Sequence, residues 1–172
     1  MKRFMLVTAI AAIAFVGGCK NDTSTPSTTT SDVIIGTWVS EGTDVSPLLV
    51  AVSKTVKVLA IFNDNGTYTI MSIDSSDLAT TVTGTFVTAA GGAAAPLDNI
   101  RTLVCTQTSP ALTWSGIYQV TQGLPVSMKY EVFQTDPPVT GYSAPTPSGG
   151  FGSTLQGTTP LGTYNTQMFK KQ

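Results

Sequence analysis

Chemistry needs side chains that can move a proton, supply an electron pair or hold a metal, and this chain offers few of them. It has no histidine, and its ten carboxylates and two cysteines show neither a nucleophile with its base nor a metal cluster. An enzyme is not expected, nor a cofactor, nor a resident metal. Asp64 beside Asn63 and Asn65, and Asp74 with Asp77 in IDSSD, admit a calcium reading, but turn and hairpin chemistry explains the same residues better. Cys105 reads either as a reactive thiol or as a small buried hydrophobe in a strand. With no histidine to activate it, the second reading is preferred.

Cys19 is different, because of what precedes it. Residues 1–19, MKRFMLVTAIAAIAFVGGC, begin with Lys2 and Arg3, continue through an apolar run from Phe4 to Val16 and close on small residues, the pattern of a secretory signal. The thirteen apolar-run residues fall short of the ~20 needed to span a bilayer. The end, Val16-Gly17-Gly18-Cys19, resembles the bacterial lipobox, which implies cleavage after residue 18 and an acylated Cys19. Each buried methylene of such an anchor is worth ~0.8 kcal/mol, so the chain is expected to stay on a membrane. Residues 20–32, KNDTSTPSTTTSD, contain no aliphatic or aromatic side chain and read, with Cys19, as a flexible tether of roughly 20 Å. The expected address is the bacterial cell envelope. The absence of Asp at position 20 fits outer-membrane delivery by the enterobacterial sorting rule.

Residues 33–172 then form a single domain of 140 residues, enough to bury ~70% of its unfolded surface. Without Lys2 and Arg3, seven basic side chains face ten acidic ones, a formal charge of minus three with no basic patch. Nucleic acid is therefore not an expected partner, and a monomer is expected.

The domain reads as strands. Val126, Met128, Tyr130 and Val132 alternate with Ser127, Lys129 and Glu131, so that one face is dry and one wet. Val56, Val58, Ala60 and Phe62 alternate likewise. Asn-Asp-Asn-Gly at 63–66 then supplies hairpin chemistry, with 67–73 as the partner strand. Segments 80–88, 100–107 and 112–120 continue the pattern, and 33–40 and 161–170 complete eight strands. Between them, Ser46-Pro47 followed by LLVAVS admits a short N-capped helix or lid over 47–53, with strand from about Thr55. A glycine followed two residues later by an aromatic recurs at 36–38, 66–68, 84–86, 116–118 and 162–164. In a sheet that coils into a barrel such glycines permit the bend and leave room that a neighbouring ring covers. The competing reading is that the tripeptide merely starts strands. The eight sequential strands favour an all-β, antiparallel up-and-down barrel.

Three segments carry a resemblance. Gly36-Thr37-Trp38 after Val33–Ile35 resembles the first-strand motif of the lipocalin and fatty-acid-binding-protein group. FNDNGTYTI at 62–70 and GTYNTQMFKK at 162–171 are similar to a hairpin and the last strand of bacterial lipocalin-like lipoproteins. The resemblance implies that Gly36 and Trp38 form the barrel base. It departs from the better-known lipocalins in lacking their second motif, their C-terminal helix and a late arginine over the tryptophan. Arg101 is the only arginine of the mature chain, and Lys170 and Lys171 are the late cations.

Function follows from the barrel. An eight-stranded closure is just wide enough for one small ligand. The inward candidates are Phe62, Tyr68, Phe86, Trp114, Tyr118, Met128 and Tyr130, with Trp38 at the base, and these rings either line a cavity for a small hydrophobic ligand or fill a core. The Pro/Gly/Ser-rich stretch 136–160, holding Tyr142 and Phe151, is expected to act as a lid over a cavity or, if the core is filled, as a loop that binds an envelope partner.

Overall fold

The computed structural model describes residues 32–90 and 100–172. The signal peptide 1–18, the lipidation site Cys19 and the tether as far as residue 31 lie outside the described residues. The described chain is mostly strand: β1 (Gly36–Glu41), β2 (Thr55–Phe62), β3 (Thr67–Asp74), β4 (Ala79–Ala90), β5 (Arg101–Gln107), β6 (Leu112–Thr121), β7 (Ser127–Asp136), β8 (Tyr142–Ser143), β9 (Leu155–Gln156), β10 (Thr159–Pro160) and β11 (Gln167–Lys171). The first seven pair antiparallel in sequence, and β11 joins β7 to β1, with Trp38 opposite Lys171. The result is a closed eight-stranded up-and-down barrel, consistent with a lipocalin-like fold. The short strands β8 to β10 make a separate small sheet within the 137–160 segment.

Local chemistry sets the boundaries. Helix α1 (Pro47–Ser53) begins where Ser46 Oγ accepts from the Leu49 N–H at 3.3 Å and proline occupies the first turn. It ends at Lys54, which takes a left-handed φ of 56°. Strand β2 follows at once, but a bulge between Thr55 and Lys57 shifts its register. Val56, expected on the dry face, is consequently 42% exposed, while Thr55 is buried. The Asn-Gly hairpin forms between β2 and β3. Asp74 Oδ1 accepts from the N–H groups of Ser76 and Leu78 at 2.8 and 3.0 Å, the turn role preferred from the sequence.

Both ends of the domain differ from expectation. Residues 33 and 34 form a turn, and strand begins only at Gly36. Near the C-terminus, Gly162–Asn165 is a 3-10 turn and strand resumes at Gln167. Tyr164, the aromatic of the fifth repeat, is therefore 41% exposed rather than inside.

Asp32 marks the start of the fold rather than the last link of a tether. Its Oδ1 accepts from the Tyr118 hydroxyl at 2.6 Å and the Ile34 N–H at 3.1 Å, its Oδ2 accepts from Thr88 Oγ1 at 2.6 Å, and Arg101 Nη1 lies 3.6 Å away. Burial by itself raises the Asp32 pKa. The hydrogen bonds from Thr88, Tyr118 and Ile34, with the Arg101 charge, outweigh it and hold the carboxyl below its ordinary 3.8. A folded pKa below the unfolded one contributes stability that is complete above the unfolded value and lost as pH falls through the folded value. Urea midpoints are therefore expected to drop on acidification below pH 3.8, and to drop less steeply in Asp32→Asn. Equal acid slopes in the two proteins would remove this carboxylate from the account.

Candidate functional site

The inward side chains divide the barrel into a packed half and a hollow half. In the packed half, Ile34, Trp38, Phe62, Leu103, Tyr118 and Met128 are each at most 1% exposed. Phe62 meets Phe86 edge-on with ring centroids 5.1 Å apart. Trp38 Nε1 donates to the Ile34 carbonyl at 2.6 Å, and Lys171 Nζ stands 5.1 Å from the centre of the Trp38 ring. Gly36, at φ +130°, makes this possible, since a Cβ there would lie 2.8 Å from Lys171 Cε. The Gly-x-Trp motif thus packs this end together with a late lysine rather than an arginine.

The other half encloses a cavity of about 460 Å³. It lies beyond the level at which Tyr68, Cys105 and Tyr130 project inward, where the strands carry smaller or aliphatic side chains such as Ile70, Ser72 and Val82. Helix α1 covers part of its mouth through Leu48, Leu49 and Val52, and Val52 is 74% exposed at the rim.

Of the predicted cavity residues, Tyr68, Trp114 and Tyr130 line this space. Phe62, Phe86, Tyr118 and Met128 do not. Each stands closer to the Trp38 end of its strand and is part of the packed core instead. Alternation told which side of the sheet these residues face, but not how far along the barrel axis the packing extends. Tyr142 does line the cavity, with its ring stacked on Phe133 at 4.8 Å and 12°. Phe151 does not act at the mouth. It lies beneath Lys129 Nζ, 4.7 Å from the ring centre, on the outer wall of β7.

That outer wall corrects a further expectation. Glu131, placed on the wet face by alternation, is fully buried. Its carboxylate accepts from the N–H groups of Gly152 and Thr154 and from Thr154 Oγ1. Asn165 Nδ2 completes the network by donating to Thr154 Oγ1 at 3.0 Å and to the Val132 carbonyl at 2.9 Å. The long segment therefore packs on the barrel side, and the part that reaches the mouth is near Val139 and Tyr142.

Sequence reading missed the residues that give the cavity its polar character, notably Cys105, Gln107 and Gln167. The alternation Gln167, Phe169, Lys171 is the signal that points to Gln167, but it is too short to stand out within the expected strand 161–170. Gln107 Oε1 accepts from Trp114 Nε1 at 3.3 Å, which fixes the indole at the wall. Burial pushes the Cys105 thiol up to about 12, against a smaller lowering from its hydrogen bond with Tyr130. Burial, helped by the nearby Cys105, likewise pushes Tyr68 up to about 12, and Tyr130 is raised well above its ordinary value mainly by burial. All three groups are neutral at physiological pH. Among the described lining residues there is no Asp, Glu, Lys or Arg. Such walls offer apolar contact and neutral hydrogen bonds, and the preferred reading of Cys105 as a buried strand residue agrees with its 2% exposure.

Comparison with known proteins finds no match: no family model, no curated protein and no solved structure matches this chain.

Proposed function

We propose that this chain is a lipocalin-like lipoprotein of the bacterial envelope, anchored through Cys19, that holds a small, mainly apolar molecule in the open half of its barrel. The observation that carries the reading is the cavity of about 460 Å³ beside a fully packed half. Small-molecule sites are concave, mostly apolar and of a few hundred Å³, with a small number of placed polar groups. The combination of a closed barrel, a tryptophan-packed end and a lipobox-like Val16–Cys19 supports the lipocalin-like assignment. A partner-binding role for 136–160 has less to rest on, because Tyr142 and Phe151 are engaged by Phe133 and Lys129.

Native mass spectrometry of the full protein purified from its own envelope tests both parts. The expected spectrum shows a chain acylated at Cys19 that carries an additional small molecule, lost on denaturation. In Val82→Trp, which places a large ring in the cavity, retention of that molecule is expected to fall at least tenfold while the acyl mass stays. A wild-type chain with no bound molecule, or undiminished retention in Val82→Trp, contradicts the cavity reading. A chain without the acyl mass contradicts the anchor.

A further inference from the structure

The depth of the cavity is polar but uncharged, and one of its polar groups has no partner within the protein. Tyr68, Cys105 and Tyr130 project from β3, β5 and β7 at the boundary between the hollow and packed halves. They are close enough for each to bear on the ionisation of the others, and all three line the cavity. Gln167 on β11 is the direct cross-strand neighbour of Tyr130 and faces the same side. It is 5% exposed, and its Nε2 is buried without a hydrogen-bond partner. The other amides along the wall differ. Gln107, Gln134 and Asn165 each donate to a backbone carbonyl. An unpaired buried amide donor is costly and calls for an explanation; Ser40, Arg101 and Thr166 also leave a buried polar atom unpaired, but of the four only Gln167 lines the cavity, where a bound molecule would complete it.

We propose that the cavity selects a neutral, mainly apolar molecule carrying one hydrogen-bond acceptor, a carbonyl or hydroxyl oxygen, which takes the free N–H of Gln167 beside the Tyr68–Cys105–Tyr130 group. This rests on the ligand-binding reading above and narrows it to a chemical class. The same wall rejects an alkyl carboxylate of equal length. Its charge would be buried with no Lys or Arg among the described lining residues to compensate it, and a buried unpaired charge is far more costly than a buried neutral carbonyl.

The test uses the full chain carrying Cys19→Ala, so that apolar probes do not partition into the anchor. A neutral fluorescent probe, N-phenyl-1-naphthylamine, is bound first and then displaced at about pH 7.5 by three ten-carbon competitors: 2-decanone, decanoate and decane. The ketone is expected to displace the probe at least ~100-fold more effectively than decanoate, in line with the discrimination a buried site makes against a group it cannot pair. In Gln167→Met, which keeps the side-chain volume, the ketone is expected to weaken ~10-fold while decane is unchanged. Tyr68→Phe gives a second reading of the same polar group and is expected to lower the ketone-to-decane preference as well. Probe binding with decanoate equal to the ketone overturns the neutral class while leaving the cavity as a binding site. An unchanged ketone-to-decane preference in both variants overturns the assignment of the acceptor to this group. Absence of binding by the probe and all three competitors overturns the ligand-binding reading itself, and the class with it.

Discussion

Gly84→Ala is expected to destabilise the barrel by about 3 kcal/mol or more, enough to prevent accumulation of folded protein in a domain of ordinary stability. A Cβ at this position would lie 2.0 Å from the Thr106 carbonyl oxygen and 2.9 Å from Cε1 of Tyr68. The ring could turn aside, but the carbonyl belongs to the β4–β5 ladder, where Gly84 pairs with Gln107 and Thr85 with Thr106. Relief therefore requires two strands of a closed ring to move apart, and closure leaves them nowhere to go. Tyr68, directly opposite Gly84 on β3, covers the space that the missing side chain leaves. Gly116 stands in the same relation to the β6–β7 ladder, 2.1 Å from the Glu131 carbonyl oxygen, and its alanine variant is expected to behave alike. Gly123→Ala is the control. Its added methyl would meet nothing nearer than the Pro125 carbonyl at 3.6 Å, so its urea midpoint is expected to match wild type. Wild-type stability in Gly84→Ala would show that the strands separate easily and that these glycines only start strands.

Glu131→Ala is expected to cost about 3 kcal/mol and to open residues 137–160 to proteolysis. The carboxylate is fully buried, and its removal leaves two backbone donors and the Thr154 hydroxyl without an acceptor, each worth ~1–3 kcal/mol when orphaned. Thr154 is itself fully buried, so water does not readily take the place of the lost acceptor. Glu131→Gln keeps one oxygen in place and is expected to fall between alanine and wild type. Because Tyr142 lies in the fastened segment and lines the cavity, ligand retention is expected to fall along with the protease resistance. Limited proteolysis and urea denaturation read the two effects separately. An alanine variant within ~0.5 kcal/mol of wild type, uncut at 137–160, would mean that the segment is held by Phe133 and Lys129 instead.

The buried carboxylate also shows where sequence reading stops. Alternation along Val126–Val132 correctly turned Met128, Tyr130 and Val132 inward, because a strand presents successive side chains to opposite faces whatever surrounds it. It could not tell that the outer face near Glu131 is covered, since the covering residues, Gly152 and Thr154, lie some twenty positions away in a segment without periodicity. The same holds for Asp32, whose partners Thr88, Arg101 and Tyr118 come from three different strands. Helix α1, which the sequence admitted without deciding, has signals that are local: a serine cap, a proline in the first turn and a β-branched run from about Thr55.

The sequence by itself determined that the domain is all-β and that its strands follow one another antiparallel, an order that favours a closed ring; the place of Trp38 at one end came from the resemblance. Those properties are written in short-range pattern: period-two alternation, an Asn-Gly turn, and glycines placed where strands crowd. Only the tertiary structure decided where the packing stops and the cavity begins, because that depends on the summed volumes of side chains from eight strands meeting at one height. It also decided that Gln167 is left with an unpaired donor, since hydrogen-bond satisfaction is a property of neighbours in space.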